Sequence, residues 1–221
     1  MNTLLTAKTQ PLIDYNGEQT LEPLEAMNPE EYLAWCARIS SPDNRLNSET
    51  APKLLQYLMD NKHWSPNEMV NFSFQIVTSR AIAQQLLRHR SFSFQEFSQR
   101  YARVNDFEPI ELRLEHDTNR QSSTDITDDP VLRDIVNTAL LTCEAVYDTL
   151  LDNGVAKECA RMILPLTTQT TMVMNGTFRS WIHFLDQRCD EHVQKEIQLI
   201  ALEIRKQLIP HMPWTAKALN W

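Results

Sequence analysis

Five arginines and one histidine stand between Arg80 and Arg103, with Glu96 the single acid among them, in a chain whose formal charge is −8. The stretch reads Arg88-His89-Arg90, seven residues, then Ser98, with Arg100 two places on. Like charges crowded together cost free energy unless an anion neutralises them. Arginine brings a planar donor fork that grips phosphate at two points, where lysine offers only a point charge. The chemistry this predicts is an anion site for phosphorylated ligands; the competing expectation is a solvated basic face. Phe92, Phe94, Phe97 and Tyr101 interleave the charges, which a purely solvated face does not need. A second constellation, Arg161, Arg179, His183 and Arg188, falls on two later helices. Arg179, His183 and Asp186 lie three or four residues apart and share one helix face, opposite Phe178, Trp181 and Leu185. That face is either a ligand surface or a ladder of surface ion pairs.

The elements that position these residues follow from periodicity. Thr9 to Asp14 is expected as a first short strand, and Pro29 to Ile39 and Ser48 to Asn61 as helices, the latter with Leu54, Leu55 and Leu58 inward. Val70, Phe72, Phe74 and Ile76 alternate with polar residues, the period of a half-buried strand. Arg80 to Arg88 reads as a helix feeding the basic motif, and a loop from Phe92 leads into a strand around Arg100 to Val104. Residues 105–130 are polar and irregular, and are expected as a mobile or variable loop. Val131 to Leu150 recurs at three- and four-residue steps, a long amphipathic helix with Gly154 just past its end. A short helix over Val155 to Ile163, a strand over Thr168 to Met174, and helices over Phe178 to Arg188 and Glu191 to Ile209 complete the chain. This pattern predicts an α+β domain, helices packed on a central, mostly antiparallel or mixed sheet, spanning 1–221 as one unit.

At 221 residues and 42% hydrophobic, the chain is long enough to bury one substantial core. Only Gly17, Gly154 and Gly176 occur, so neither a Gly-x-Gly-x-x-Gly turn nor a Walker loop can be written, and a Rossmann or P-loop cradle is excluded. Nucleotide phosphates must then be held by side chains, helix N-termini or isolated amides. Cys36, Cys143, Cys159 and Cys189 are widely spaced and are expected as reduced thiols, mostly small buried hydrophobes. His192 and Glu196 are four apart, but without a further ligand cluster no metal is expected. No signal peptide and no stretch of about 20 apolar residues is visible, so a cytoplasmic, non-membrane protein is expected.

Four segments in order carry a family resemblance: His63-Trp64-Ser65-Pro66-Asn67-Glu68, the Arg88-to-Ser98 motif, Arg161-Met162-Ile163-Leu164-Pro165, and Arg179 to Arg188. Together they resemble the signatures of flavin-dependent thymidylate synthases. The resemblance implies methylation of dUMP to dTMP with FAD as cofactor, methylenetetrahydrofolate as one-carbon donor and NADPH as reductant. It implies a homotetramer whose active sites are shared between chains, so that the basic triplet and the C-terminal arginines need not meet within one fold. It puts Ser65, Arg88, His89, Arg90, Glu96, Thr177, Arg179 and His183 on FAD-contacting positions, and His63 near the flavin ring and the folate. Gln85, Arg88, Glu96, Ser98, Gln99, Arg100, Arg161 and Arg188 fall on dUMP-binding positions.

Arg188 is the candidate for stabilising a pyrimidine deprotonated at N3, which spreads charge toward C5. Ser98 is expected to bind and orient, since neither an activating base nor a nucleophile elbow is visible beside it. Two positions depart from the family's frequent residues, Gln99 for glycine and Thr177 for asparagine, while His183 sits where many relatives have asparagine and others histidine. Two other readings stay open from sequence. One is a nucleic-acid-binding module on the Arg80–Arg103 segment, disfavoured by the acidic net charge. The other is an inactive flavin-binding family member.

Overall fold

The computed structural model describes residues 1–221 except Pro23, Asn105 and Gln121. Strands β1 (Asn2–Lys8), β2 (Asn71–Ser79), β3 (Ser93–Glu96) and β6 (Gln169–Thr177) form one antiparallel sheet in the order β1-β2-β6-β3. Strands β4 (Arg113–Glu115) and β5 (Ser123–Ile126) pair as a separate hairpin. The helices are α1 (Pro29–Ala37), α2 (Ala51–Asp60), α3 (Arg80–Leu86), α4 (Pro130–Asp152), α5 (Lys157–Ala160), α6 (Phe178–Arg188), α7 (Lys195–Leu208) and α8 (Pro213–Ala218).

Alternation along the two central strands decides which face of the sheet is covered. Phe72, Phe74, Ile76 and Thr78 of β2 are buried, as are Thr170, Met172, Met174 and Gly176 of β6. Phe74 lies opposite Met174, which also faces Phe94 across β3, so one row of side chains runs through three strands. Helices cover that face: Leu33, Leu55, Trp181, Phe184, Leu185, Ile197, Ile200, Ile204 and Leu208 join it in one core cluster. The opposite face keeps Ser73, Gln75, Thr171 and Asn175 half-exposed, with Ser73 Oγ donating to Asn175 Oδ1 at 2.8 Å. This two-layer arrangement is the α+β class that the periodicity predicts.

The ends of the chain are stitched to the core. The Glu30 carboxylate is buried and accepts from the backbone N–H of Trp214, at 2.9 Å, and of Thr215, so α1 caps the start of α8. Gln207 of α7 accepts from Leu5 N–H and donates to Thr3 C=O, both at 2.8 Å, tying β1 to the helical layer.

Four sequence expectations need correction. The first strand is Asn2–Lys8, and within 9–14 only Ile13 and Asp14 make isolated bridges. As an edge strand β1 turns mainly Thr3 and Leu5 inward, too little for a visible alternation. The strand after the basic motif is Ser93–Glu96, not Arg100 to Val104, because its register is set by β6. Within the segment 105–130 stands the β4–β5 hairpin, with Asn105 and Gln121 themselves outside the described residues. The cysteines are unpaired but none is fully buried: Cys36, Cys143 and Cys189 are intermediate and Cys159 is exposed.

Candidate active site

Helix α6 is the platform. Thr177 ends β6 and caps the helix, its hydroxyl accepting from Ser180 N–H at 3.2 Å. Buried Phe178, Trp181, Ile182, Phe184 and Leu185 fix one face, which leaves Arg179, His183 and Asp186 on the other. Across from that outward face lies the 3-10 turn Ser65–Glu68. Arg179 Nη1 pairs with Glu68 Oε1, and His183 meets Trp64 edge to face with ring centroids 5.0 Å apart. Arg179 is thus tied to another segment rather than to a neighbour on its own helix. His63 and Ser65 are exposed beside this contact. Lys62, just before them, stands at φ 57°. That left-handed conformation costs a non-glycine residue about 1–2 kcal/mol, and it turns the chain from α2 into the His63–Glu68 segment.

At the other end of α6, Arg188 Nε donates to His89 Nε2 at 3.0 Å. The basic triplet and the last arginine of α6 therefore meet within one chain, an outcome the expectation of shared sites left open. His89 is half-buried, its ring edge-on to Phe184 at 5.0 Å and to Phe92 at 6.4 Å. Burial, and then the Arg188 charge, push its pKa below the ordinary histidine value. Burial also lowers the pKa of Arg188 from its usual position. Phe92 is held in turn by Gly176, where an added Cβ would lie 2.4 Å from the Phe92 ring. Only glycine lets the turn carrying Arg88 to Arg90 close onto β6.

The arginine island resolves into paired and unpaired members. Arg80 binds Glu96 at 2.8 Å and donates to the Phe97 carbonyl at 2.7 Å. Arg100 pairs with Glu158 at 3.2 Å and Arg103 with Asp148 at 2.6 Å. Arg88 and Arg90 are exposed and, among the described residues, have no acidic partner; nor does half-buried Arg161. Most of the island is neutralised by the chain itself, which removes the continuous basic track a nucleic acid needs. The cations left over are those of the triplet and the α5 end.

Ser98 begins a turn beyond β3, its carbonyl accepting from Tyr101 N–H at 3.1 Å and its Oγ from Arg100 N–H at 3.4 Å. Arg80 sets this turn by gripping Glu96 and Phe97 just before it, and Thr170 Oγ1 donates to the same Glu96 oxygen at 3.0 Å. Glu96 thus holds the strand end internally. Gln99 is buried and is not among the residues with positive φ, so this turn does not require a glycine. Thr177 likewise meets its backbone duty as a helix cap. Arg161 follows Glu158 by one helical turn, so Arg100 and Arg161 share one neighbourhood.

The four-residue strand β3, about 13 Å long at about 3.3 Å per residue, lies in the chain between the triplet and this phosphate-seeking group. Among the described residues no hydrogen bond or ion pair links Ser98, Arg100 or Arg161 to Arg188. Gln85 reaches Gln194 at 2.6 Å. Of the tempting metal pair, His192 contacts Asp190 at 2.8 Å and Glu196 pairs with Arg113 at 2.7 Å. Burial raises the Cys189 thiol pKa, the opposite of an activated thiolate.

Sequence reasoning missed Arg80, Glu68 and Trp64 as the residues that seat the site. Glu68 and Trp64 lay inside a quoted motif, but nothing in their spacing shows that they face α6. Arg80 counted as one more free cation because its partner lies sixteen residues on, across a turn.

Comparison with known proteins places this arrangement. The family profile described as "Thymidylate synthase complementing protein" matches residues 23–214. The flavin-dependent thymidylate synthase of Synechocystis is 43% identical over 224 residues, covering 100% of both chains. A probable flavin-dependent thymidylate synthase of Paramecium bursaria Chlorella virus 1 is 40% identical, again over 100% of both. Among solved structures, the UMP/dUMP methylase PolB of Streptomyces cacaoi bound with 5-Br dUMP matches 99% of this chain and 94% of its own, with TM-score 0.82 and 25% identity. With its helix-covered antiparallel sheet, its arginine motif and relatives matched along their whole length, this chain belongs to the flavin-dependent thymidylate synthase family.

Proposed function

We propose that the chain methylates dUMP to dTMP, with FAD as cofactor, methylenetetrahydrofolate as one-carbon donor and NADPH as reductant. The observation that carries this reading is the state of Arg188. It is half-buried on a rigid helix, has no acidic partner among the described residues, and makes its hydrogen bond to the neutral-leaning His89. A buried arginine whose charge is not spent on a carboxylate is available to a developing anion.

The residues present fit a flavin dinucleotide. Unpaired Arg88 and Arg90 supply cations for a pyrophosphate in a chain with no glycine cradle. Ser65, His63, His183 and Arg179 offer polar groups and ring edges along one face of α6, and Thr177 fixes the start of that face. When bound, FAD supplies the two-electron redox chemistry that no side chain here can provide. Arg161, Gln99 and Ser98 would hold the dUMP phosphate, with Arg100 exchanging its exposed Glu158 contact for it; Gln85 would orient the nucleotide and Arg88 would serve both ligands. Arg188 faces the pyrimidine and favours its deprotonated form, while His63 borders the space for the folate.

A homotetramer with shared sites belongs to the same reading. It is supported by α4, whose Ile135 and Leu141 are 59% and 65% exposed. A cytoplasmic location is supported by the four unpaired cysteines. Among the described residues no helix is long and apolar enough to cross a membrane.

The first test is optical: the purified protein should be yellow, and NADPH should bleach the flavin band when dUMP is present. A protein that binds no flavin, or whose bound flavin NADPH leaves oxidised, contradicts the proposal.

A further inference from the structure

Arg188 offers five N–H donors, and the one on Nε is already committed. Its acceptor, His89 Nε2 at 3.0 Å, is an uncharged ring nitrogen. An Nε2 that accepts carries no proton, so the His89 ring must be the neutral tautomer with its hydrogen on Nδ1. The contact ties the guanidinium through Nε and leaves its Nη hydrogens without a protein acceptor among the described residues. A carboxylate in the same place would also orient Arg188, but it would consume its charge.

The surroundings hold the imidazole in that state. Phe92 and Phe184 pack edge-on against it, so the ring is kept in place by apolar contacts and has few other orientations. Arg88 and Arg90 flank it in sequence, and Arg188 of α6 is a charged group it contacts. The His89 backbone N–H donates to the Leu86 carbonyl of α3 at 3.0 Å. Glu96, the nearest acid in sequence, is occupied by Arg80. Burial, and then the Arg188 cation, oppose a positive charge on the ring, in accord with the direction of the His89 pKa.

We propose that His89 is a positioning residue for the methylation step: as a neutral acceptor it aims Arg188 at the pyrimidine, and its protonation releases that aim. This rests on the assignment of Arg188 to the pyrimidine made above, and gives His89 a part beyond contact with the flavin. Protonating His89 removes the acceptor and sets two cations 3.0 Å apart. The guanidinium must then swing away, and dTMP formation falls on the acid side of neutrality. Below the His89 pKa the fall approaches about tenfold per pH unit.

Two measurements test this. In wild-type protein carrying 15N-labelled histidine, the His89 ring should show protonated Nδ1 and bare Nε2 at neutral pH, and titrate below an ordinary histidine. Protonated Nε2 at neutral pH overturns the proposal, whether or not the enzyme turns over.

The second is kcat for dTMP formation against pH in wild type, His89→Gln and His89→Leu. Glutamine can accept from Arg188 Nε without titrating, so His89→Gln should retain measurable turnover and lose the acid limb. His89→Leu should lose about 10²-fold, the scale of a small misplacement of a catalytic group. A ring that serves only to pack predicts parallel pH profiles for wild type and His89→Gln, and that result also overturns the proposal. Absence of dTMP formation by wild type at every pH would instead sink the assignment of function, leaving the tautomer measurement to decide the role of His89.

Discussion

Helix α6 turns Phe178, Trp181, Ile182, Phe184 and Leu185 into the core, whereas α4, twice as long, buries only Tyr147 and leaves Val131, Leu132, Ile135, Leu141 and Val146 exposed. Both helices are amphipathic. The core of its own chain fixes α6 so firmly that its outward face carries Arg179 and His183, and its end carries Arg188, at set positions. The packing partners of α4 within the chain are chiefly α5 and the 3-10 turn after it, which leaves its apolar stripe exposed, the surface the proposed homotetramer would cover. The difference teaches that one amphipathic pattern can serve either tertiary or quaternary structure, and that only the surrounding elements decide between them.

The α6 side is broken most severely at Trp181. Its ring meets Phe74, Phe92 and Phe184 at 5.0, 4.6 and 5.7 Å, and its Nε1 donates to the Phe72 carbonyl at 3.1 Å. Trp181→Ala should lower unfolding free energy by about 3–5 kcal/mol in chemical denaturation. A loss below about 1 kcal/mol would show that α6 is not anchored by this ring.

The α4 side responds differently. Ile135→Asp combined with Leu141→Asp should leave the circular dichroism of the chain intact, because neither side chain is buried in it. In sedimentation the assembly should fall apart to smaller species, with loss of dTMP formation. A double variant that stays assembled would remove α4 from the interface and with it the contrast between the two helices.

The smallest effect concerns the stitch between α1 and α8. Burial raises the Glu30 pKa, partly offset by the two amides it accepts from. A carboxyl whose folded pKa lies above its unfolded value contributes stability that is fully present below the unfolded pKa and lost as pH rises through the folded pKa. Raising pH from the acid range toward neutrality should therefore erode stability in wild type relative to Glu30→Gln. Parallel stability curves for the two proteins over that window would contradict a buried, proton-retaining Glu30.

The sequence made the central layer legible because strong alternation and strong helical spacing leave few choices. The β2 pattern Val70, Phe72, Phe74, Ile76 and the α6 span were both readable for that reason. Strands β1 and β3 were misplaced because an edge strand has one partner and few inward residues, so hydrogen bonding to β2 or β6 defines it more than its own composition. In the site, residue types were legible and pairings were not. That Arg80 is spent on Glu96 while Arg88 and Arg90 remain unpaired depends on a turn and a sheet register that no local pattern encodes. The α4 stripe was read correctly as amphipathic, but its outward direction is a property of the whole fold.

The central claim is that Arg188 acts on the pyrimidine, and Arg188→Lys tests it most directly. Lysine keeps the charge but loses both the Nε hydrogen bond to His89 and the planar fork. Measured side by side in the assembled flavoprotein, NADPH oxidation should survive while dTMP formation falls by about 10²–10³, the scale for losing one transition-state donor. Wild-type dTMP output from Arg188→Lys, or equal loss of both activities, would contradict the account.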